Sequence, residues 1–208
     1  MPAPPDAGES RLATVSAAVL VGGASSRMGR DKARLTLDGV ANATRLARLL
    51  AGLFEEVLLV GGDPPPEAPG RRVADPEGPV CALRGLVAAL EAARGPQVLV
   101  VATDLPLLTP DLLLALVAWP EADVVVPRTG QGLHPLCALY RRSAALPAAR
   151  ECLAAGRLRL QEIFEVLDVS SFGPDEVARI DPAGTALLNV NTPEDGARAE
   201  ALLAGRRG

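Results

Sequence analysis

Ala17-Ala18-Val19-Leu20-Val21-Gly22-Gly23-Ala24-Ser25-Ser26-Arg27-Met28-Gly29-Arg30-Asp31-Lys32 is the stretch that decides how the rest of the chain is read. Its apolar beginning predicts a buried strand over Thr14–Val21, which the pair Gly22-Gly23 ends abruptly. Glycine admits positive φ and lets a ligand approach main-chain N–H groups with no Cβ in the way. Two hydroxyls, Arg27 and Lys32 follow at once, so donors gather at the end of one strand, as anion sites require. Of the 21 basic residues Lys32 is the only lysine. A compact ammonium on a flexible stem is a different tool from a planar guanidinium. Lys32 is therefore expected to reach back to phosphates, the alternative being a solvated surface charge.

The spacing excludes two common phosphate loops. Gly29 is followed by Arg30-Asp31-Lys32-Ala33, which is not G-x-x-x-x-G-K-[ST], and Gly22, Gly23 and Gly29 do not make G-x-G-x-x-G. The length of 208 residues suits one domain, residues 1–208, with Met1–Ser10 as a loose proline-bearing tail. Apolar content of 49% and charged content of 22% place the chain among soluble globular proteins. Aromatics make up only 2%, so the core must be aliphatic. With a net charge of −4 and so few aromatics, a nucleic-acid surface is not expected. Cys81, Cys137 and Cys152 form no C-x-x-C pair and read as small buried hydrophobes. One histidine, His134, excludes a histidine-based metal cluster. No apolar run approaches the roughly 18 residues of a membrane span, and no basic-then-apolar leader opens the chain, so a cytoplasmic protein without a membrane partner is expected.

Outward from the first loop, Arg34–Leu37 alternates before the turn signal Asp38-Gly39. Leu46, Leu49, Leu50 and Leu53 recur at helical spacing and predict a helix over Asn42–Leu53. Glu56–Val60 reads as a strand ending in Gly61-Gly62, Asp63–Gly70 as a proline loop, and Arg71–Ala74 as a short strand stopping at Asp75-Pro76. A helix over Leu83–Ala93, a strand over Gln97–Ala102 and a helix capped by Thr109-Pro110-Asp111 follow. Asp123–Val126 and His134–Tyr140 read as strands, Ser143–Ala154 and Leu160–Leu167 as helices, and Glu176–Ile180 as a strand. Asn191-Thr192-Pro193-Glu194 signals a final helix ending near Ala204. Alternating strands and helices mean an α/β protein with a mostly parallel sheet. In such sheets ligands sit beyond the carboxyl ends of the strands, where Gly22-Gly23, Gly61-Gly62, Asp75 and Asp104 fall.

Asp104 is the strongest metal candidate, a carboxylate at the end of a buried strand with Pro106 stiffening the exit. Magnesium takes such oxygens together with substrate phosphates. A turn cap is the competing use of an aspartate there, as it is for Asp75 before Pro76. Asn189 and Asn191 flank Val190 and, in an extended chain, share one face. They could orient a ligand, or Asn191 could cap the last helix. These parts suit nucleotidyl transfer, which asks for a triphosphate site, a metal, neutralising cations and an aligned nucleophile.

The first loop resembles the L-A-G-G-x-[SA]-x-R-M-G-x-D-K signature of nucleotidyltransferases that activate sugars and cofactors. Asp75…Gly78-Pro79…Gly85-Leu86, the run Val101–Asp111, His134–Arg142 and Asn189-Val190-Asn191-Thr192-Pro193-Glu194-Asp195 extend the likeness. In that order they resemble the molybdenum cofactor guanylyltransferase (MobA) family from about Ser16 to Ala204. The resemblance implies a Rossmann-like three-layer α/β sandwich of the nucleotide-diphospho-sugar transferase type. It also implies transfer of GMP from GTP to molybdopterin carrying molybdenum, with Mg2+. It puts Leu20, Val21, Gly22, Gly23 and Asp75 on the nucleotide, and Lys32 and Arg27 on the phosphates. Asp104 falls on nucleotide and magnesium, and His134, Asn189 and Asn191 toward the pterin. Molybdoenzymes or cofactor-insertion proteins are the implied recipients. The chain departs from the family pattern at Val40–Thr44, at Val60 and at Gly78-Pro79-Val80-Cys81-Ala82. Two other readings stand beside this one: a cytidylyl- or sugar-phosphate nucleotidyltransferase, and a non-catalytic nucleotide or pterin carrier. The glycine between Val21 and Gly23 favours GTP over CTP, whose users resemble A-A-G there.

Overall fold

Side chains of the first strand, β1 (Leu12–Leu20), enter two different cores in alternation. Val15, Ala17 and Val19 face one; Ala18 and Leu20 face the other. A strand buried on both faces belongs in the middle of a parallel sheet covered by helices. That is its place in the computed structural model, which describes residues 12–21, 36–74, 77–78 and 80–205. Gly22, Gly23, Arg27, Lys32 and Asp75 lie outside those residues.

Around β1 the chain lays down β2 (Thr36–Leu37), β3 (Val40–Ala41), α1 (Asn42–Leu53), β4 (Phe54–Val60) and β5 (Arg71–Val73). Then come α2 (Ala82–Ala92), β6 (Gln97–Ala102), α3 (Pro110–Ala118), β7 (Val124–Thr129), β8 (Gly132–Leu133) and β9 (Cys137–Arg141). The described chain finishes with α4 (Arg142–Ala154), a 3-10 helix (Leu160–Glu165), β10 (Val169–Phe172), α5 (Pro174–Ile180) and α6 (Pro193–Gly205). The main sheet runs β10-β7-β9-β6-β1-β4-β5, with β8 hairpinned onto β7. Its neighbours pair in parallel except at β9, which is antiparallel to both β6 and β7. The expectation of a mostly parallel sheet holds.

Helices α1, α3 and α5 pack on the face that takes Val19 and Val101; α2 and α4 pack on the face that takes Leu20 and Val100. The three layers follow from this alternation. Helix α1 keeps the predicted bounds, yet its N-cap Ala41 offers no side-chain hydrogen bond and its first turn holds no acid. A good cap contributes about 1 kcal/mol. Fully burying Leu46 and Leu50 contributes roughly 1.5–3 kcal/mol each, so packing decides this helix. The turn before it is tight: Asp38 and Gly39 have φ of 51° and 72° between paired β2 and β3, the geometry that Asp-Gly favours in a two-residue hairpin.

Two expectations need correction. Glu176–Ile180 is not a strand but most of α5. Pro174 sits in its first turn, and the Glu176 carboxylate turns back to accept the Gly173 N–H at 2.9 Å, closing the helix start. The strand lies just before it, as β10, pairing in parallel with β7. The helix expected over Leu160–Leu167 is a 3-10 helix ending at Glu165, because only Leu160 and Ile163, three apart, are buried. Of the cysteines, Cys137 and Cys152 are buried as expected, whereas Cys81 is half-exposed at the N-cap of α2.

Candidate functional site

Three strands end level with one another at the carboxyl edge. Leu20 is in register with Val60 on one side and Ala102 on the other. The ladder runs one residue further, Val21 N–H donating to Val60 C=O at 2.8 Å and Gly61 N–H to Val73 C=O at 2.9 Å. Beyond Val60 the chain must turn sharply, and Gly61 and Gly62 do so at φ of 70° and 58°. Leu20 and Val21 thus stand where the first loop leaves the sheet. Helix α2 approaches the same point closely, since a Cβ on Gly85 would lie 3.3 Å from Leu20 Cδ1.

Asp104 sits on the turn that follows β6. Leu105, Leu107 and Leu108 are buried and anchor this turn, with Leu105 N–H reaching Ala102 C=O at 3.3 Å. Its main-chain carbonyl accepts from Val190 N–H at 2.8 Å, which ties the distant Asn189–Asn191 segment to the end of β6. Val190 is buried among Leu37, Leu107 and Ala199, while Asn189 and Asn191 are both exposed on either side of it. Capping of α6 falls to Thr192, whose hydroxyl accepts the Asp195 N–H at 3.1 Å. Asp195 in return accepts the N–H groups of Asn191 and Thr192, which hold its carboxyl below its ordinary pKa.

His134 reaches this edge because β9 is reversed. Its first residue, Cys137, lies opposite Val101, and Ala102 N–H donates to Leu136 C=O at 3.0 Å. His134 N–H donates to Pro127 C=O and its own carbonyl accepts from Cys137 N–H. The imidazole Nε2 lies 2.8 Å from Thr129 Oγ1, and burial pulls its pKa below the usual histidine value.

Sequence reasoning passed over three residues here. Arg84 is a buried arginine in the first turn of α2 and donates to Gly78 C=O; an arginine inside an otherwise apolar helix was the available signal. Tyr140, the only tyrosine, is fully buried and its hydroxyl donates to Pro135 C=O at 2.6 Å, fixing the His134-Pro135 turn. Thr129 carried no signal in sequence.

Among the described residues no three His, Cys, Asp or Glu side chains come together as a metal cluster. Asp104 suits magnesium by chemistry, being a hard oxygen donor on a rigid turn. Magnesium is held by one or two carboxylates plus substrate phosphates and does not need an all-protein cage. An open cleft of about 820 Å³ lies at the opposite, amino edge, lined in part by Thr14, Gln97, Arg141 and Arg142. Arg141 is paired there with Glu121 and Asp123, and Arg142 with Leu90 C=O. It lies at the amino ends of the strands and its cations are engaged, which leaves the carboxyl edge as the candidate site. No helix among the described residues is long and apolar enough to cross a membrane.

Comparison with known proteins shows the family of this chain. A model of the MobA-like NTP transferase domain matches residues 17–169. A probable molybdenum cofactor guanylyltransferase of Chloroflexus aggregans is 41% identical, across 87% of this chain and 91% of that protein. A molybdenum cofactor guanylyltransferase of Cereibacter sphaeroides is 37% identical, across 89% and 95%. In fold the chain is similar to molybdopterin-guanine dinucleotide biosynthesis protein A from Archaeoglobus fulgidus, with TM-score 0.78 and 24% identity over 91% of this chain and 99% of that one. It is also similar to a 2-C-methyl-D-erythritol 4-phosphate cytidylyltransferase from Thermus thermophilus, with TM-score 0.68 and 19% identity over 91% and 98%.

Proposed function

The chain belongs to the MobA-like NTP transferase family, and from that premise we propose that it transfers GMP from GTP to molybdenum-bearing molybdopterin, in the cytoplasm. An oxygen of the acceptor's terminal phosphate attacks the α-phosphorus of GTP. The bond from that phosphorus to the oxygen bridging it to the β-phosphorus breaks, and its electron pair leaves with pyrophosphate. The nucleophile is already an anion. The reaction therefore asks the protein for alignment and charge neutralisation rather than for proton abstraction.

The main chain at Leu20, Val21, Gly22 and Gly23 contacts the nucleotide, with Asp75 beside it. Lys32 and Arg27 neutralise the triphosphate, and Asp104 holds magnesium. Magnesium, when bound, polarises phosphate oxygens and offsets charge that builds on the leaving group. His134, Asn189 and Asn191 face the pterin side. What supports this reading above all is the 2.8 Å bond from Val190 N–H to Asp104 C=O. It brings the asparagine segment to the strand end that carries Asp104.

The test is incubation with molybdenum-loaded molybdopterin, magnesium and each of the four nucleoside triphosphates, with the product identified by mass spectrometry. A guanine dinucleotide with stoichiometric pyrophosphate is expected. A cytosine dinucleotide would reassign the base. Nucleotide binding without pyrophosphate release would make the protein a carrier.

A further inference from the structure

Thr129 and His134 lie five residues apart but meet across the hairpin of β7 and β8. Thr129 pairs with Gly132, Arg128 with Leu133, and the chain then delivers His134 alongside the end of β7. Thr129 Oγ1 is 2.8 Å from His134 Nε2 and also accepts the Gln131 N–H at 3.2 Å. A threonine hydroxyl has one proton and two lone pairs. With the Gln131 N–H on one lone pair, donation of the hydroxyl proton to Nε2 satisfies both groups. The reverse arrangement, Nε2–H donating to the second lone pair, leaves the hydroxyl proton with no acceptor in this contact. The backbone of His134 is fixed independently by Pro127 C=O and Cys137 N–H, so the ring's remaining freedom is its tautomer and its rotation.

We infer that Thr129 is a positioning residue: its hydroxyl donates to His134 Nε2, so the imidazole carries its proton on Nδ1 and offers that N–H to a phosphate oxygen of the incoming acceptor. The second half rests on the placement of His134 at the acceptor side in the reading above. The first half does not. Burial favours the neutral ring, which is the form able to accept from a hydroxyl at all.

His134 is the chain's only histidine, so 15N-histidine labelling gives a spectrum of this ring alone. In the substrate-free protein at neutral pH the Nδ1–H tautomer is expected, the opposite of what free histidine favours in water. Thr129→Val should release the ring to the Nε2–H tautomer, and Thr129→Ser should keep Nδ1–H. An Nε2–H spectrum in the unaltered protein, or an Nδ1–H spectrum surviving in Thr129→Val, overturns the inference. If Thr129→Val does not fold, the unaltered protein's spectrum still decides. In the transfer assay Thr129→Val should raise KM for molybdopterin roughly tenfold, the worth of one hydrogen bond, with KM for GTP unchanged and Thr129→Ser near normal. A tautomer switch in a protein without transfer activity would sink the guanylyl reading and leave the Thr129–His134 pair standing.

Discussion

The two edges of the sheet handle polar groups in opposite ways. At the amino edge, Glu56 accepts from the Ser16 hydroxyl at 2.6 Å, the Arg94 N–H at 2.8 Å and Arg71 Nη2 at 2.8 Å. Ser16 Oγ in turn accepts the Gly95 N–H at 2.9 Å, and Arg71 also reaches Ala92 C=O. Every member is answered by another, and Gly95 fits so closely that a Cβ would stand 2.8 Å from Thr14 C=O. At the carboxyl edge main-chain bonds, through Val190 to Asp104 and through Pro127 to His134, are joined by the Tyr140 hydroxyl on Pro135 C=O and by no comparable closed ring of charged side chains among the described residues. Helix α1 also begins at this end, since it runs back to deliver Phe54 at the start of β4. Its first residue, Asn42, is fully buried, and neither amide atom is hydrogen-bonded among the described residues. One edge is closed on itself and serves stability. The other tolerates polar groups that folding alone would not choose.

That contrast is broken most forcefully by charge removal at Asp104. Asp104→Asn should lower kcat/KM on the order of 10²–10³-fold, because charge placed for the transition state is lost while shape is kept. Its melting temperature should stay close to that of the parent; normal turnover would return Asp104 to the role of a turn former. At the opposite edge the pattern reverses. Gly95→Ala should lose about 1–3 kcal/mol of stability in urea titrations through overpacking against Thr14 and Ser16, with kcat/KM unaltered.

Glu56 sharpens the same point through pH. Burial pushes its carboxyl up, but the hydrogen bonds from Arg71, Ser16 and the Arg94 N–H outweigh this, and the net pKa lies below the ordinary glutamate value. A carboxyl lowered on folding stabilises fully above its unfolded pKa and loses that contribution as pH falls through the folded one. The urea midpoint should therefore drop on acidification below the ordinary glutamate value of 4.5, and Glu56→Gln should flatten that slope. An unchanged slope in the variant would take Glu56 out of the acid response. The smallest expected effect has the other sign. Asn42→Leu should raise stability by about 1 kcal/mol, since a buried amide without partners is replaced by an apolar group of similar size. A fall in melting temperature would show that Asn42 is satisfied in solution.

Legibility followed how much of each element's logic is local. The Asn42–Leu53 helix and the Gln97–Ala102 strand were readable because their apolar spacing is unbroken. The Thr109 cap was readable too, and its hydroxyl does accept the Leu112 N–H. Strand β10 was not, because Val169-Ser170-Ser171-Phe172 has little apolar content of its own. Distant residues hold it: Trp119 Nε1 donates to Ser170 Oγ at 3.0 Å and the Trp119 ring lies 5.1 Å from Phe172. In the site, Asp104 announced itself by following an apolar strand directly. The value of Thr129, Tyr140 and Arg84 depends on what the fold brings beside them, and no spacing in the chain encodes that.

The reversal of β9 brings different kinds of connection to the same edge of the sheet. Strands β1 and β6 end at the carboxyl edge, whereas β9 begins there, entered by the segment that carries His134 across from β7. The hairpin ahead of it, β8 and its turn at Gly130-Gln131, hangs from β7 alone. Its length and side chains are open to revision by mutation without disturbing the pairing of β1 with β4 and β6. Within this architecture, one hairpin can be rewritten while the middle of the sheet keeps its pairing.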